Sequence, residues 1–107
     1  MAWVVLLLSG ILEAGWAVAL KLSHGFTRLG WTVTFLVTAA LSFAGLAWAM
    51  RYLPVGTAYA VWTGIGALIA AVIGMVWLGD GVSALRITSL VLIVAGIVGL
   101  KLAASAA

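Results

Sequence analysis

One side chain stands out for chemistry in this 107-residue chain: Glu13, set inside the apolar run that begins at Trp3. A charge at the centre of a bilayer costs ~2.5–3.5 kcal/mol on insertion scales. Such a residue must face an interior cavity, meet a cation or hold a proton. The chain has five Lys and Arg residues, at Lys21, Arg28, Arg51, Arg86 and Lys101, and none sits at a matching depth. The partner of Glu13 is therefore a proton, or a cation that comes from outside the protein. Helical spacing says what shares its face: Gly10, Glu13 and Ala17 follow i, i+3, i+7, and Trp16 lies one turn beyond the acid. Gly10 would leave open space beside the carboxylate. Further along, Thr38, Ser42, Gly45 and Ala49 form a small, weakly polar stripe, and Tyr59, Trp62, Thr63 and Gly66 form another. Indole N–H and hydroxyl groups at mid-depth are donors that could hold a carboxylate without neutralising it.

Several of these residues carry a plainer reading as well. Thr38 and Ser42 could each bond to their own helix backbone, and Tyr59 and Trp62 could simply pack. The Gly66-Ala70-Gly74 stripe fits close helix packing. Gly64 and Gly66 could form a conformational hinge, or could let a neighbouring helix approach bare backbone.

The elements that must position these groups follow from composition. Apolar residues make up 67% of the chain and charged ones 7%, against ~45–50% and ~25% in an ordinary globular domain. A soluble domain of this size buries roughly two-thirds of its unfolded surface and covers the rest with polar groups. Here there are too few, and the mean hydropathy of +1.39 places most side chains against hydrocarbon. A helix crossing a bilayer needs about 20 mostly apolar residues. Four such spans are expected, at about 3–22, 31–50, 55–78 and 84–103, in one transmembrane domain covering 1–107. Barrel strands would alternate polar and apolar residues, and this sequence does not. Short connectors make neighbouring helices antiparallel. A cleaved signal peptide is a poor reading of the first span, because no basic leader precedes it and an acid interrupts it. The expected fold is an all-α membrane protein.

The cations are spread almost evenly over the two membrane faces. Lys21, Arg28 and Arg86 fall on one, Arg51 and Lys101 on the other. The positive-inside rule needs an imbalance to fix orientation, so insertion in both directions is expected. Four short helices enclose little interior, so a polar site is more naturally shared between subunits. Both points favour an antiparallel, dual-topology homodimer, with a parallel dimer of one orientation as the alternative. Five scattered cations make no basic patch, so no nucleic-acid partner is expected despite the high pI. No cluster of ligands calls for a metal or cofactor, and one mid-membrane acid without a nucleophile does not make an enzyme.

With these residues in place the chain resembles the small multidrug resistance family over essentially its whole length. The resemblance rests on the four-span layout, Glu13, the Gly25-Phe26-Thr27-Arg28 loop, and Leu53-Pro54-Val55-Gly56-Thr57-Ala58-Tyr59-Ala60-Val61-Trp62. Trp16, the Trp62-Thr63-Gly64-Ile65-Gly66 segment and Lys101 make it similar to the guanidinium exporter branch. The third loop, Gly79-Asp80-Gly81-Val82-Ser83, departs from the family pattern, where a Glu-Pro pair is common. The resemblance implies a multi-pass protein of the bacterial inner (cytoplasmic) membrane that exports guanidinium ion, and small guanidinyl compounds, in exchange for protons. It further implies an antiparallel dimer joined through the fourth helix, with both Glu13 residues in one site lined by Trp16, Ser42, Tyr59 and Trp62.

The chemistry fits those residue types. Guanidinium is planar and weakly hydrated, with N–H donors matched to a carboxylate fork, and an indole face adds cation–π attraction. Two carboxylates sharing a low-dielectric site titrate as a pair. Such a site can trade protons for a cation. The alternatives are a broader exporter of quaternary ammonium cations, a channel, or a membrane subunit that packs beside a partner without transporting.

Overall fold

In the computed structural model, which describes residues 1–106, the chain is four helices: α1 (Ala2–Leu22), α2 (Leu29–Ala49), α3 (Val55–Trp77) and α4 (Ala84–Ala106). All four are long and apolar enough to cross a membrane. In hydrocarbon every backbone N–H and C=O must be satisfied within the chain, which a helix does by itself. The boundaries have local causes. Pro54 cannot donate a backbone hydrogen bond, and it stands at the N-cap of α3, where its carbonyl accepts from the Ala58 N–H at 2.9 Å. Ser83 opens α4 with a side-chain cap: its hydroxyl accepts from the Arg86 N–H at 3.1 Å. The sequence places the end of the fourth span at about residue 103, and the helix runs on to Ala106; Ala107 lies outside the described residues.

Ser23 ends α1 and organises the first loop. Its hydroxyl donates to the Leu20 carbonyl at 2.7 Å and accepts from the Phe26 N–H at 3.1 Å. Its carbonyl accepts from the N–H groups of Thr27 and Arg28, at 2.9 and 3.0 Å. These bonds hold three consecutive residues in the left-handed region: His24 (φ 48°), Gly25 (φ 70°) and Phe26 (φ 68°). That region costs an L-residue with a Cβ roughly 1–2 kcal/mol. The third loop folds back on the end of α3, where the Asp80 N–H donates to the Gly74 carbonyl at 2.9 Å and the Asp80 carboxyl rests against bare Gly74.

Packing centres on α1, which lies against both α2 and α3; α2 and α3 meet through side chains, and α4 packs mainly on α3 while its Lys101 reaches the Trp3 ring of α1, 5.1 Å from the ring centroid. Leu6, Leu46, Ala49, Ala58, Val61 and Trp62 form the core where α1, α2 and α3 converge. The result is a plate of 46 × 34 × 17 Å.

Candidate functional site

Glu13 is the tenth residue or so from either end of α1, which at 1.5 Å per residue puts its Cα ~14–17 Å from both ends. Its side chain is half-buried and points at α3. A Cβ built on Gly66 would overlap the Glu13 carboxyl, so the bare backbone of Gly66 is what makes room for the acid. Among the described residues, two buried polar atoms have no hydrogen-bond partner: Oε2 of Glu13 and Nε1 of Trp16. One is an acceptor and the other a donor, carried one turn apart on the same helix. Buried polar groups are normally paired; here the carboxyl oxygen is open to a ligand that donates, and the indole N–H is open to an acceptor such as a carboxylate oxygen.

A hydrogen-bonded chain ties the three helices together beside the acid. The Trp62 indole N–H donates to the Ser42 hydroxyl at 3.1 Å, and that hydroxyl donates to the Ser9 carbonyl at 2.7 Å. Ser42 and Ser9 are fully or almost fully buried. The Ser9 carbonyl belongs to the turn that leads into Glu13, so Ser42 fixes α2 and the Trp62 ring relative to the acid. Ser42 therefore does not rest on its own helix. Thr38 does, donating to the Thr34 carbonyl at 2.7 Å. Ser9 was not singled out by sequence, and neither was its match with Gly45: a Cβ there would lie 2.7 Å from the Ser9 hydroxyl.

The other expected site residues divide. Trp16 and Trp62 stand on either side of Phe43, at ring-centroid distances of 6.2 and 5.3 Å. Tyr59 is 55% exposed and reaches the group only through Trp62, at 5.9 Å, while its other side lines an open cleft of about 420 Å³ between α3 and α4. Gly10 differs from its expected role. The space beside it is not open but filled by Ile65, whose Cβ would lie 2.8 Å from a Cβ at position 10. Spacing along α1 defined a face, and α3 decided what occupied it. Gly64 and Gly66 both lie in uninterrupted helix, and both meet the neighbours that the packing alternative expects: Gly66 accommodates Glu13, and Gly64 accommodates Ile97 of α4, 3.1 Å from a Cβ built there. Phe35 and Phe43 were missed. The available signal was the α2 stripe itself, since Phe35 precedes Ser42 by two turns on the same face.

The arrangement defines a multi-pass membrane protein built around a mid-membrane acid with unsatisfied neighbours. The comparisons make the class specific. A family model described as Small Multidrug Resistance protein matches residues 1–93. The chain is 58% identical over 102 residues to a guanidinium exporter of Citrobacter freundii, covering 95% of this chain and 97% of that one. It is 56% identical over 102 residues to the guanidinium exporter of Escherichia coli strain K12, with the same coverage. It is 55% identical over 104 residues to one from Salmonella typhimurium strain LT2, covering 97% and 99%. The chain belongs to the small multidrug resistance family, and it is a multi-pass protein of the bacterial inner membrane.

Proposed function

We propose that the protein exports guanidinium ion by exchange for protons, working as an antiparallel homodimer whose two copies insert in opposite orientations. The observation that carries the reading is the membrane-centre carboxyl whose Oε2 has no partner, beside an indole N–H that also has none. Relatives at 55–58% identity bearing the name guanidinium exporter support the choice of cation.

Two Glu13 carboxyls meet when two plates face each other. A guanidinium ion offers each a planar fork of N–H donors, and the indole face of Trp62, fixed by Ser42, supplies cation–π attraction. Trp16 donates its free N–H to a carboxylate oxygen and holds it in one geometry. When the cation leaves, protons take its place, because two adjacent negative charges in a low-dielectric site repel each other. A dimer that changes access only when occupied then couples one flux to the other. Nearly balanced cations on the two membrane faces support opposite insertion of the copies.

The test is flux in proteoliposomes. An outward guanidinium gradient is expected to drive protons inward in the absence of any imposed pH difference, with a higher KM for guanidinium at lower pH, because protons compete for the same carboxyls. Glu13→Gln is expected to reduce coupled flux by more than 100-fold. Proton-coupled uptake by Glu13→Gln, or guanidinium flux that moves no protons, overturns the mechanism. Preference for tetraalkylammonium over guanidinium would assign the broader substrate class.

A further inference from the structure

Six aromatic rings form one continuous row through the molecule. Phe26 meets Phe35 at 5.7 Å, Phe35 meets Trp16 at 5.9 Å, Trp16 meets Phe43 at 6.2 Å, Phe43 meets Trp62 at 5.3 Å, and Trp62 meets Tyr59 at 5.9 Å. The row starts in the first loop, on one membrane face, and ends one turn into α3, close to the other. Its middle includes Trp16, one turn from Glu13 on α1, and Trp62, one turn from the Gly66 that accommodates the acid on α3. Its loop end is built with effort: Phe26 is bulky, yet it is held at φ 68° by the Ser23 hydrogen bonds. An outlier of this kind, kept by the surrounding structure, marks a place where function sets the geometry. Its effect here is to lay the Phe26 ring against Phe35 while leaving the residue 56% exposed. Phe35 in turn presents its edge contact to Trp16, the residue whose indole N–H is unpartnered.

Resting on the proposed export of guanidinium, we propose that Phe26 and Phe35 form a second, outer station for the transported ion: a cation–π site for guanidinium-class cations on the way to Glu13. Aromatic faces attract a cation without a counter-charge, and guanidinium stacks on them more readily than a strongly hydrated ammonium. A site of this kind suits a mouth whose nearby charges, Lys21 and Arg28, are positive and exposed: it draws the ion by ring quadrupoles and leaves the carboxyl as the only strong site. In an antiparallel dimer each membrane face carries one such mouth, so the ion meets equivalent stations on entering and on leaving.

Leucine keeps the apolar bulk of phenylalanine but removes the ring. Phe35→Leu is expected to raise the KM for guanidinium about three- to tenfold with kcat within about twofold, and Phe35→Tyr, which retains the ring, is expected to restore the wild-type KM. The second arm removes the central acid: in Glu13→Gln protein held in nanodiscs, guanidinium chloride is expected to shift the NMR resonances of the Phe26 and Phe35 rings, and sodium chloride at equal concentration is not. An unchanged KM in Phe35→Leu, failure of Phe35→Tyr to restore it, or unmoved ring resonances each overturn the outer station. Wild-type protein that moves no guanidinium at all would instead overturn the proposed function.

Discussion

Helices α1 and α4 cross the same membrane with similar hydropathy, yet the chain treats them in opposite ways. The first is wedged between two neighbours, and Leu6, Ser9, Gly10, Ala14 and Ala19 are buried along it. The fourth touches α3 on one side, and none of its spanning window is buried. Hydropathy does not distinguish them, since in lipid an apolar side chain gains nothing by moving from a hydrocarbon tail to a leucine. What separates them is shape: α1 has small residues where other helices cross it, and these crossings let backbones approach. The polar groups around Glu13 are thus gathered by α1, α2 and α3, while most of the α4 surface is left uncovered within the chain. In the proposed dimer that surface meets the second copy.

The same substitution placed on both helices breaks this comparison if it is wrong. Gly10→Leu would drive a side chain into the Cβ of Ile65 and against the Trp62 carbonyl. Neither can swing away, because one is a branched carbon close to the backbone and the other is backbone. Overpacking of this severity costs about 3 kcal/mol or more, enough to abolish folded yield. The check is size-exclusion and circular dichroism in detergent, with loss of the monodisperse helical species expected. Gly96→Leu on α4 meets nothing within 4 Å. The isolated chain is expected to keep its helicity and thermal stability, while the dimer fraction measured by cross-linking in liposomes falls at least fivefold. A Gly96→Leu protein that pairs as well as wild type would move the dimer contact away from this part of α4.

The two regions also differ in how far sequence alone reveals them. All four helices are legible because each apolar run is bounded by something with a clear physical meaning: Lys21 after α1, Arg51 after α2, Pro54 before α3, and Arg86 and Lys101 towards the two ends of α4. The caps at Ser23 and Ser83 are not legible in that way. Glu13 is equally plain, as a charge where the solvent is hydrocarbon. What one helix's spacing cannot say is which neighbour crosses it. Gly10 and Gly66 therefore exchange meanings between sequence and structure. The glycine beside the acid on its own helix is filled by Ile65, and the one that gives the acid its space lies fifty-six positions away on α3. Phe35 and Phe43 escaped for a related reason. Phenylalanine in an apolar span looks like any lipid-facing residue until Trp16 and Trp62 are seen on either side of it.

The smallest expected effect separates two hydroxyls that sequence treats alike. Thr38 and Ser42 sit one turn apart on the same stripe. Thr38 closes on its own helix, so Thr38→Ala removes a bond that spans no interface and is expected to change stability by less than ~0.5 kcal/mol and leave transport unaltered. Ser42→Ala removes the link between three helices. It leaves the buried Trp62 N–H without an acceptor, a loss of ~1 kcal/mol where the reference is one intramembrane hydrogen bond. Because the Ser9 carbonyl keeps its place in the α1 backbone, the helix itself should not unwind. The consequence should appear as a Trp62 ring freed to rotate: a KM for guanidinium raised severalfold, with thermal stability in detergent lowered by only a few degrees. Equal behaviour of the two variants would mean that Ser42 only fills space, and that Trp62 is oriented by its contacts with Phe43 and Tyr59 alone.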